Sequence, residues 1–295
     1  MSAQRVLVVG ATGYAGRHIV SELKRRGNRV RALVRARPRA EQPGAFGAPA
    51  LKELVDEWVA ADIGREREIP GLCEGVDRVV SALGVTRQKA DPWTVDFRGN
   101  LRVLEAAEKS GVRSFLYVNV MHADRGTSLL MRSKTAFTEA LRRSPVASQI
   151  VDPSGYFSDA TDFLSMARRG IGMRLGKGRT RLNPIHGADL ASFCADRMEE
   201  GSGEWTVGGP DVFTYQEISD LAFAVLDKRP RLVTIPGGAA GPVVWVADRL
   251  GPRASSLTRF FVEGLQTDAV GTPVGTRHLA DHYRQIAERW AVGAR

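Results

Sequence analysis

Apolar residues in the first half of this chain keep two rhythms by turns. Compact apolar runs end in glycine or polar residues, and longer stretches follow in which apolar positions recur every three or four residues. The runs predict strands at Arg5–Val9, Arg29–Val34, Trp58–Ala61, Asp77–Ala82, Ser114–Val120 and Ser148–Val151. The stretches between them predict helices at Tyr14–Arg26, Ala48–Leu54, Pro92–Ser110 and Ser128–Arg143. Alternation of this kind implies an α/β fold with a doubly wound parallel sheet of Rossmann type, whose right-handed crossovers leave ligands at the carboxyl ends of the strands. Beyond Asp152 the regularity fails. Helical periodicity returns at Gly155–Gly170, Asp189–Glu200, Thr214–Lys228, Val243–Leu250 and Arg277–Trp290, with short strands near Thr180–Leu182, Glu204–Val207 and Arg231–Ile235. Pro184-Ile-His-Gly187 reads as a loop, so the next helix is expected to start no earlier than Ala188. Thr214 and Glu217 have capping-box spacing. Residues 1–152 are therefore read as one Rossmann domain. Residues 153–295 are read as a mixed segment that completes the sheet and forms a small substrate-binding cap.

The first strand breaks into Gly10-Ala-Thr-Gly-Tyr-Ala-Gly16 and runs straight into a helix. Glycines spaced this way between strand and helix form a dinucleotide-binding turn. Gly10 permits the sharp bend, Gly13 leaves room for pyrophosphate beside Thr12, Tyr14 and Ala15, and Gly16 lets the helix pack closely. Amides at the helix start, with the helix dipole, suit phosphate. A tight turn without a ligand is the plain alternative.

The end of the second strand selects the nucleotide. Sites for NAD place a carboxylate there, but no Asp or Glu stands between Glu22 and Glu41; Arg35, Arg37 and Arg39 occupy the segment instead. Guanidinium forks suit a 2′-phosphate and stack on adenine, so the expected cofactor is NADP(H). A solvated basic loop is the alternative.

Composition changes this picture little. The formal charge is +9, with 42 basic against 33 acidic residues. The basic residues are spread along the chain without a zinc-finger or aromatic–basic pattern, so attraction of an anionic cofactor accounts for the charge better than nucleic acid does. No apolar run is long enough to span a bilayer and no signal peptide is evident, which points to the cytoplasm. Cys73 and Cys194 lack metal-ligand spacing and read as reduced, packed residues.

The chain resembles an atypical short-chain dehydrogenase/reductase of the extended or NmrA-like type. The resemblance rests on Gly10–Gly16, Asp62-Ile63 after the third strand, and Ser81-Ala-Leu-Gly84 after the fourth. It rests further on Asn100-Leu-Arg-Val-Leu-Glu-Ala-Ala107, Asn183-Pro-Ile-His-Gly-Ala-Asp-Leu190 and Val207-Gly-Gly-Pro-Asp-Val-Phe-Thr-Tyr215. It implies that Asp62 and Ile63 meet the adenine, that Ala82, Leu83 and Gly84 pass over the adenine ribose, and that Pro153, Gly155, Tyr156 and Phe157 approach the nicotinamide. A helix cap is the other reading of Asp62.

Such proteins ordinarily carry a serine and a Tyr-x-x-x-Lys pair. Lys134 matches the lysine and is expected to hold the nicotinamide ribose, but Leu130 stands where the tyrosine belongs, and no other lysine has a tyrosine four residues before it. Asn119 takes the serine's place. Proton donation is open between His122, a residue type suited to proton transfer, Tyr156, which reads first as a wall of the pocket, and the substrate itself, if a neighbouring acidic hydroxyl stabilises the developing oxyanion. His186 reads as a helix-entry residue and His18 as bland. His278 and His282 read as one solvated helix face rather than a metal pair. Trp245, Phe260 and Phe261 read either as a lid or as packed core.

These residues imply an NADPH-dependent oxidoreductase. The leading expectation is a ketoreductase acting on a bulky, hydrophobic, aromatic or quinone-like small molecule, as in Tyr-less tailoring reductases of aromatic polyketides and antibiotic biosynthesis. Reduction of an activated C=C bond is the second expectation, and a non-catalytic NADP-sensing regulator or assembly factor is the third. Neither metal, nucleic acid nor stable membrane insertion is expected, and the oligomeric state is open.

Overall fold

The structure, a computed structural model, describes residues 3–65, 69, 71–85, 90–175, 179–229, 231–235 and 240–292. In chain order the elements are β1 (Arg5–Val9), α1 (Tyr14–Arg25), β2 (Arg29–Val34), α2 (Arg37–Glu41), β3 (Glu57–Ala60) and β4 (Arg78–Ser81). Next come α3 (Asn100–Lys109), β5 (Ser114–Val118), α4 (Leu129–Arg143), β6 (Ala147–Pro153), α5 (Phe157–Arg168), β7 (Ile171–Leu175) and β8 (Arg181–Leu182). The remainder are α6 (Gly187–Arg197), β9 (Gly203–Gly208), β10 (Phe213–Thr214), α7 (Tyr215–Val225), β11 (Arg231–Ile235), α8 (Ala240–Arg249), α9 (Pro252–Gln266), β12 (Thr272–Pro273) and α10 (Leu279–Val292).

Eight strands form the main sheet in the order β12-β9-β6-β5-β4-β1-β2-β3. The pairings β1·β2, β1·β4, β2·β3, β4·β5, β5·β6 and β9·β12 are parallel. β1 pairs with both β2 and β4, so the strand order reverses beside the glycine turn, the position at which doubly wound sheets bind ligands.

The described chain divides into two compact units, residues 1–152 with 190–205, and residues 153–189 with 206–295. In the first unit, Leu7, Val79, Phe115, Tyr117 and Ile150 pack on Val103, Leu104, Phe137 and Leu141 of α3 and α4. Central strands buried on both faces read as continuous apolar runs, which is why β1 and β2 were visible in the sequence. In the second unit, Phe157, Leu164, Ile218, Phe223, Leu279 and Tyr283 form the core. There α7 begins at the expected capping box, with Thr214 and Glu217 each bonding the other's backbone.

Several expectations need correction. No helix spans Ala48–Leu54; the helical turn after β2 is the earlier α2, with a short 3-10 turn at Ala45–Gly47. Residues Trp93–Gly99 are wound as a π-helix leading into α3. The helix after the Pro184 loop starts at Gly187, one residue sooner than expected. His278 precedes α10, and His282 is buried against Thr161 Oγ at 3.0 Å, so the two do not share a solvated face. Burial pushes the His282 imidazole down to about 4. No cluster of three or more metal-ligating side chains exists among the described residues. Nor is any described helix long and apolar enough to cross a membrane.

Candidate functional site

The glycine turn is built by contact. Gly10 has φ +75°, and a Cβ there would lie 2.7 Å from the carbonyl of Ala82. At Gly16 a Cβ would fall 2.2 Å from Gly10 O, so α1 could not sit on the turn. Gly13 differs, since a Cβ would meet only Gly10 O, at 3.4 Å, and its φ of −72° suits any residue. Internal packing therefore explains Gly10 and Gly16 but not Gly13. The space kept clear at Gly13 faces outward at the start of α1, which has no side-chain cap and no acidic residue in its first turn. Arg17 N–H is bonded to Gly13 O, and the turn before it is the part of a helix that offers amides to an anion. The residues fit a pyrophosphate.

Arg35, Arg37 and Arg39 are all exposed. Arg37 is held by Glu41 at 2.7 Å and lies over the Trp58 ring at 5.4 Å. Asp62 follows β3 with a half-exposed carboxylate that accepts from Gly64 N–H at 2.9 Å, an Asx turn rather than a helix cap. Ile63 next to it is buried.

Beneath the Ala82–Gly84 turn lies a constellation absent from the sequence reading. Lys134 Nζ is 3.1 Å from Tyr117 Oη and 3.1 Å from Asp96 Oδ1, and its side chain is only 7% exposed. A Cβ on Gly84 would be 3.5 Å from Asp96 and 3.6 Å from Lys134. Burial alone would lower the Lys134 pKa; Tyr117 and the Asp96 carboxylate more than reverse that and hold it above the ordinary lysine range. Burial raises Asp96, with the ammonium opposing, and pushes Tyr117 up to about 12. Lys134 is thus a buried cation, and the tyrosine beside it comes from β5 instead of its own helix. Asn100 links the same region, accepting from Ser81 Oγ at 2.6 Å and donating to Asp96 O at 2.8 Å.

At the carboxyl ends of β5 and β6, Asn119 donates to Asp152 at 2.8 Å. Burial raises the Asp152 carboxyl to about 6, with Asn119 pulling the other way. An acid titrating there can hold or release a proton near neutrality. His122 adopts a left-handed backbone, φ +61°, at the head of a short 3-10 turn. No sequence signal pointed to Asp152, Asp96 or Tyr117, because none stands at a motif spacing from Lys134 or Asn119.

In the second unit, Tyr156 caps α5 and bridges Ile185, while Phe157 is core. The Gly155 carbonyl accepts from Ile185 N–H at 2.8 Å. Pro153 ends β6. The Asn183 motif is structural: its amide donates to Gly209 O and Gly271 O and accepts from Gly271 N–H, all near 3.0 Å. His186 Nδ1 accepts from Ala188 N–H at 3.1 Å, a helix-entry role. Trp245 on α8 is 57% exposed beside Val243, Val246 and Leu250, so it is not packed core. The Phe261 side chain lies outside the described residues.

A family model described as NAD(P)H-binding matches residues 10–200. The chain is 31% identical over 269 residues to divinyl chlorophyllide a 8-vinyl-reductase, chloroplastic, of Oryza sativa subsp. indica, covering 84% of this chain and 65% of that one. It thus spans slightly under two thirds of that relative's length. It is 27% identical to a ceramide reductase of Caulobacter vibrioides, with 86% of this chain and 79% of that one covered. Among solved structures, the NADPH complex of an Escherichia coli NADPH-dependent quinone oxidoreductase superposes with a TM-score of 0.72 at 18% identity, over 96% of this chain and 99% of that one. That likeness establishes the shared fold.

Proposed function

The chain belongs to the NAD(P)H-binding family, and from that premise we propose that it is an NADPH-dependent reductase of a polarised C=C bond in a large hydrophobic substrate. The observation that carries this reading is the pairing of a retained, buried Lys134 with the absence of any Tyr-x-x-x-Lys. When bound, NADPH supplies hydride. The glycine turn with the first amides of α1 would hold its phosphates, Arg35 and Arg37 would receive the 2′-phosphate, Asp62 and Ile63 would take the adenine, and Ala82–Gly84 would cover the adenine ribose. Lys134, held by Tyr117 and Asp96 close to Gly84, would orient the nicotinamide ribose as a fixed positive charge.

The chemistry suits the missing phenol. Hydride addition to a carbonyl concentrates charge on one oxygen, which needs a strong, close acid. Addition to a conjugated C=C spreads the charge through the π system, so a weaker or more distant proton source suffices. The vinyl-reductase name of the rice relative supports this choice. A second reading, reduction of an aromatic or quinone-like carbonyl, is favoured by the Asn119–Asp152 pair, where Asp152 is a carboxylic acid able to protonate an oxyanion near neutrality. His122 and Tyr156 are the other proton sources under either reading.

The test is NADPH oxidation by the purified protein against a panel of vinyl-bearing macrocycles, enones, quinones and aromatic ketones, with products identified by mass and NMR. The expected product keeps its carbonyl and gains two hydrogens across a C=C bond. An alcohol product selects the second reading. Tight NADPH binding with no turnover of any class would overturn both in favour of a cofactor sensor.

A further inference from the structure

Arg17 stands in the first turn of α1, one residue past the glycine turn, yet its side chain faces inward and the residue is 4% exposed. The guanidinium is ringed by peptide carbonyls. Nε donates to Thr12 O at 3.1 Å; Nη1 donates to Ala40 O, Gln42 O and Pro49 O at 3.2, 2.7 and 2.8 Å; Nη2 donates to Arg39 O at 3.2 Å. Burial and the charge of Arg39 both hold its pKa below the ordinary arginine range. A cation so placed is costly unless its donors are satisfied. Here the satisfaction comes from two segments at once, the glycine turn and residues 39–49.

The second segment is shaped around this side chain. Gly44 has an ordinary φ of −79°, but a Cβ there would lie 2.6 Å from Arg17 Cδ and 2.8 Å from Nε. Leu51 N–H closes back on Ala40 O at 3.2 Å, and Gly44 N–H bonds Ala48 O at 2.9 Å. Exposed Arg39 belongs to this stretch and Arg37 shares α2 with it, so both hang from a short helix whose carbonyls at Arg39 and Ala40 are pinned to Arg17.

We propose that Arg17 is a positioning residue for cofactor selection: by tying Thr12 to residues 39–49 it fixes the distance between the phosphate-binding turn and the arginines that receive a 2′-phosphate. The inference rests on the NADP(H) reading above. Arg17 acts through α2 rather than as a ligand; it sets where Arg37 and Arg39 present their charge.

Calorimetric titration with 2′,5′-ADP and with 5′-AMP reads the adenosine end alone, without turnover. Wild-type protein is expected to bind 2′,5′-ADP more tightly. Arg17→Met is expected to weaken 2′,5′-ADP by roughly tenfold or more, the loss of about one well-placed charged contact, with a much smaller change for 5′-AMP. Arg17→Lys, which keeps the charge and some donors, is expected to recover part of the ratio. Should Arg17→Met fail to fold, Gly44→Ala keeps the guanidinium and displaces it, and is expected to lower the same ratio. Folded variants that keep the wild-type ratio, or lose both ligands equally, overturn the role of Arg17. A wild-type protein that prefers 5′-AMP overturns the NADP(H) reading beneath it.

Discussion

Among single residues, two glycines of one motif, Gly13 and Gly16, have different work. Gly16→Ala drives a Cβ into Gly10 O at 2.2 Å, and Gly13→Ala meets nothing closer than 3.4 Å. Gly16→Ala is expected to lower Tm by several degrees, in line with a core overpacking cost of about 1–3 kcal/mol. Gly13→Ala is expected to keep Tm and to weaken NADPH binding about tenfold or more by occupying the phosphate's space. Thermal melts beside fluorescence titration separate the two outcomes. Asp152 supplies a pH test. Its carboxyl rises from 3.8 unfolded to about 6 folded, so the native state binds the proton more tightly and stability falls as pH climbs between those values. Asp152→Asn is expected to relieve a cost on the order of 2–3 kcal/mol at pH 7.5 that is absent near pH 4. Urea unfolding of both proteins at the two pH values gives the comparison. The glycines were legible in the sequence because their spacing and flanking elements carry the signal. Asp152, Asp96, Tyr117 and the buried face of Arg17 were not, since each acts through a neighbour remote in the chain.

At the level of elements, legibility followed length and periodicity. The strands β1, β2 and β11 and the helices α1 and α4 were read to within one residue and α7 to within three, since each carries an uninterrupted apolar pattern. The strands β8, β10 and β12 have two residues apiece, too few for any period, and only β8 was anticipated. β7 and α9 went unread. The π-helical turn at Trp93–Gly99 is invisible to a helical period of 3.6, although it brings Asp96 under the Gly84 turn. Capping was the exception, a local rule that survived: Thr214 accepts from Glu217 N–H at 3.2 Å, and Glu217 accepts from Thr214 N–H at 2.6 Å. Replacing Thr214 by Ala is expected to cost about 0.5–2 kcal/mol, measured by chemical denaturation, while leaving NADPH affinity unchanged.

For the molecule as a whole, the sequence disclosed the fold class and the nucleotide family because both are written in repeated local units. It did not disclose the substrate, because the second half is irregular and carries no repeated local unit to read. The charge of +9 belongs to this scale. Exposed arginines attract a 2′-phosphate through solvent, where salt screens them over about 10 Å at 0.1 M. NADPH affinity is expected to fall several-fold between about 0.05 and 0.5 M salt, with NADH affinity falling less. Equal slopes for both nucleotides would remove the arginine segment from selection.

The crowded cation beneath the Gly84 turn also limits redesign. A protein engineer wishing to install ordinary dehydrogenase chemistry would write Leu130→Tyr, recreating the familiar four-residue spacing. Leu130 is 1% exposed, and the ammonium it would need already answers to a carboxylate and to another phenol. The graft would have to evict both incumbents first, so a one-letter change cannot convert this scaffold.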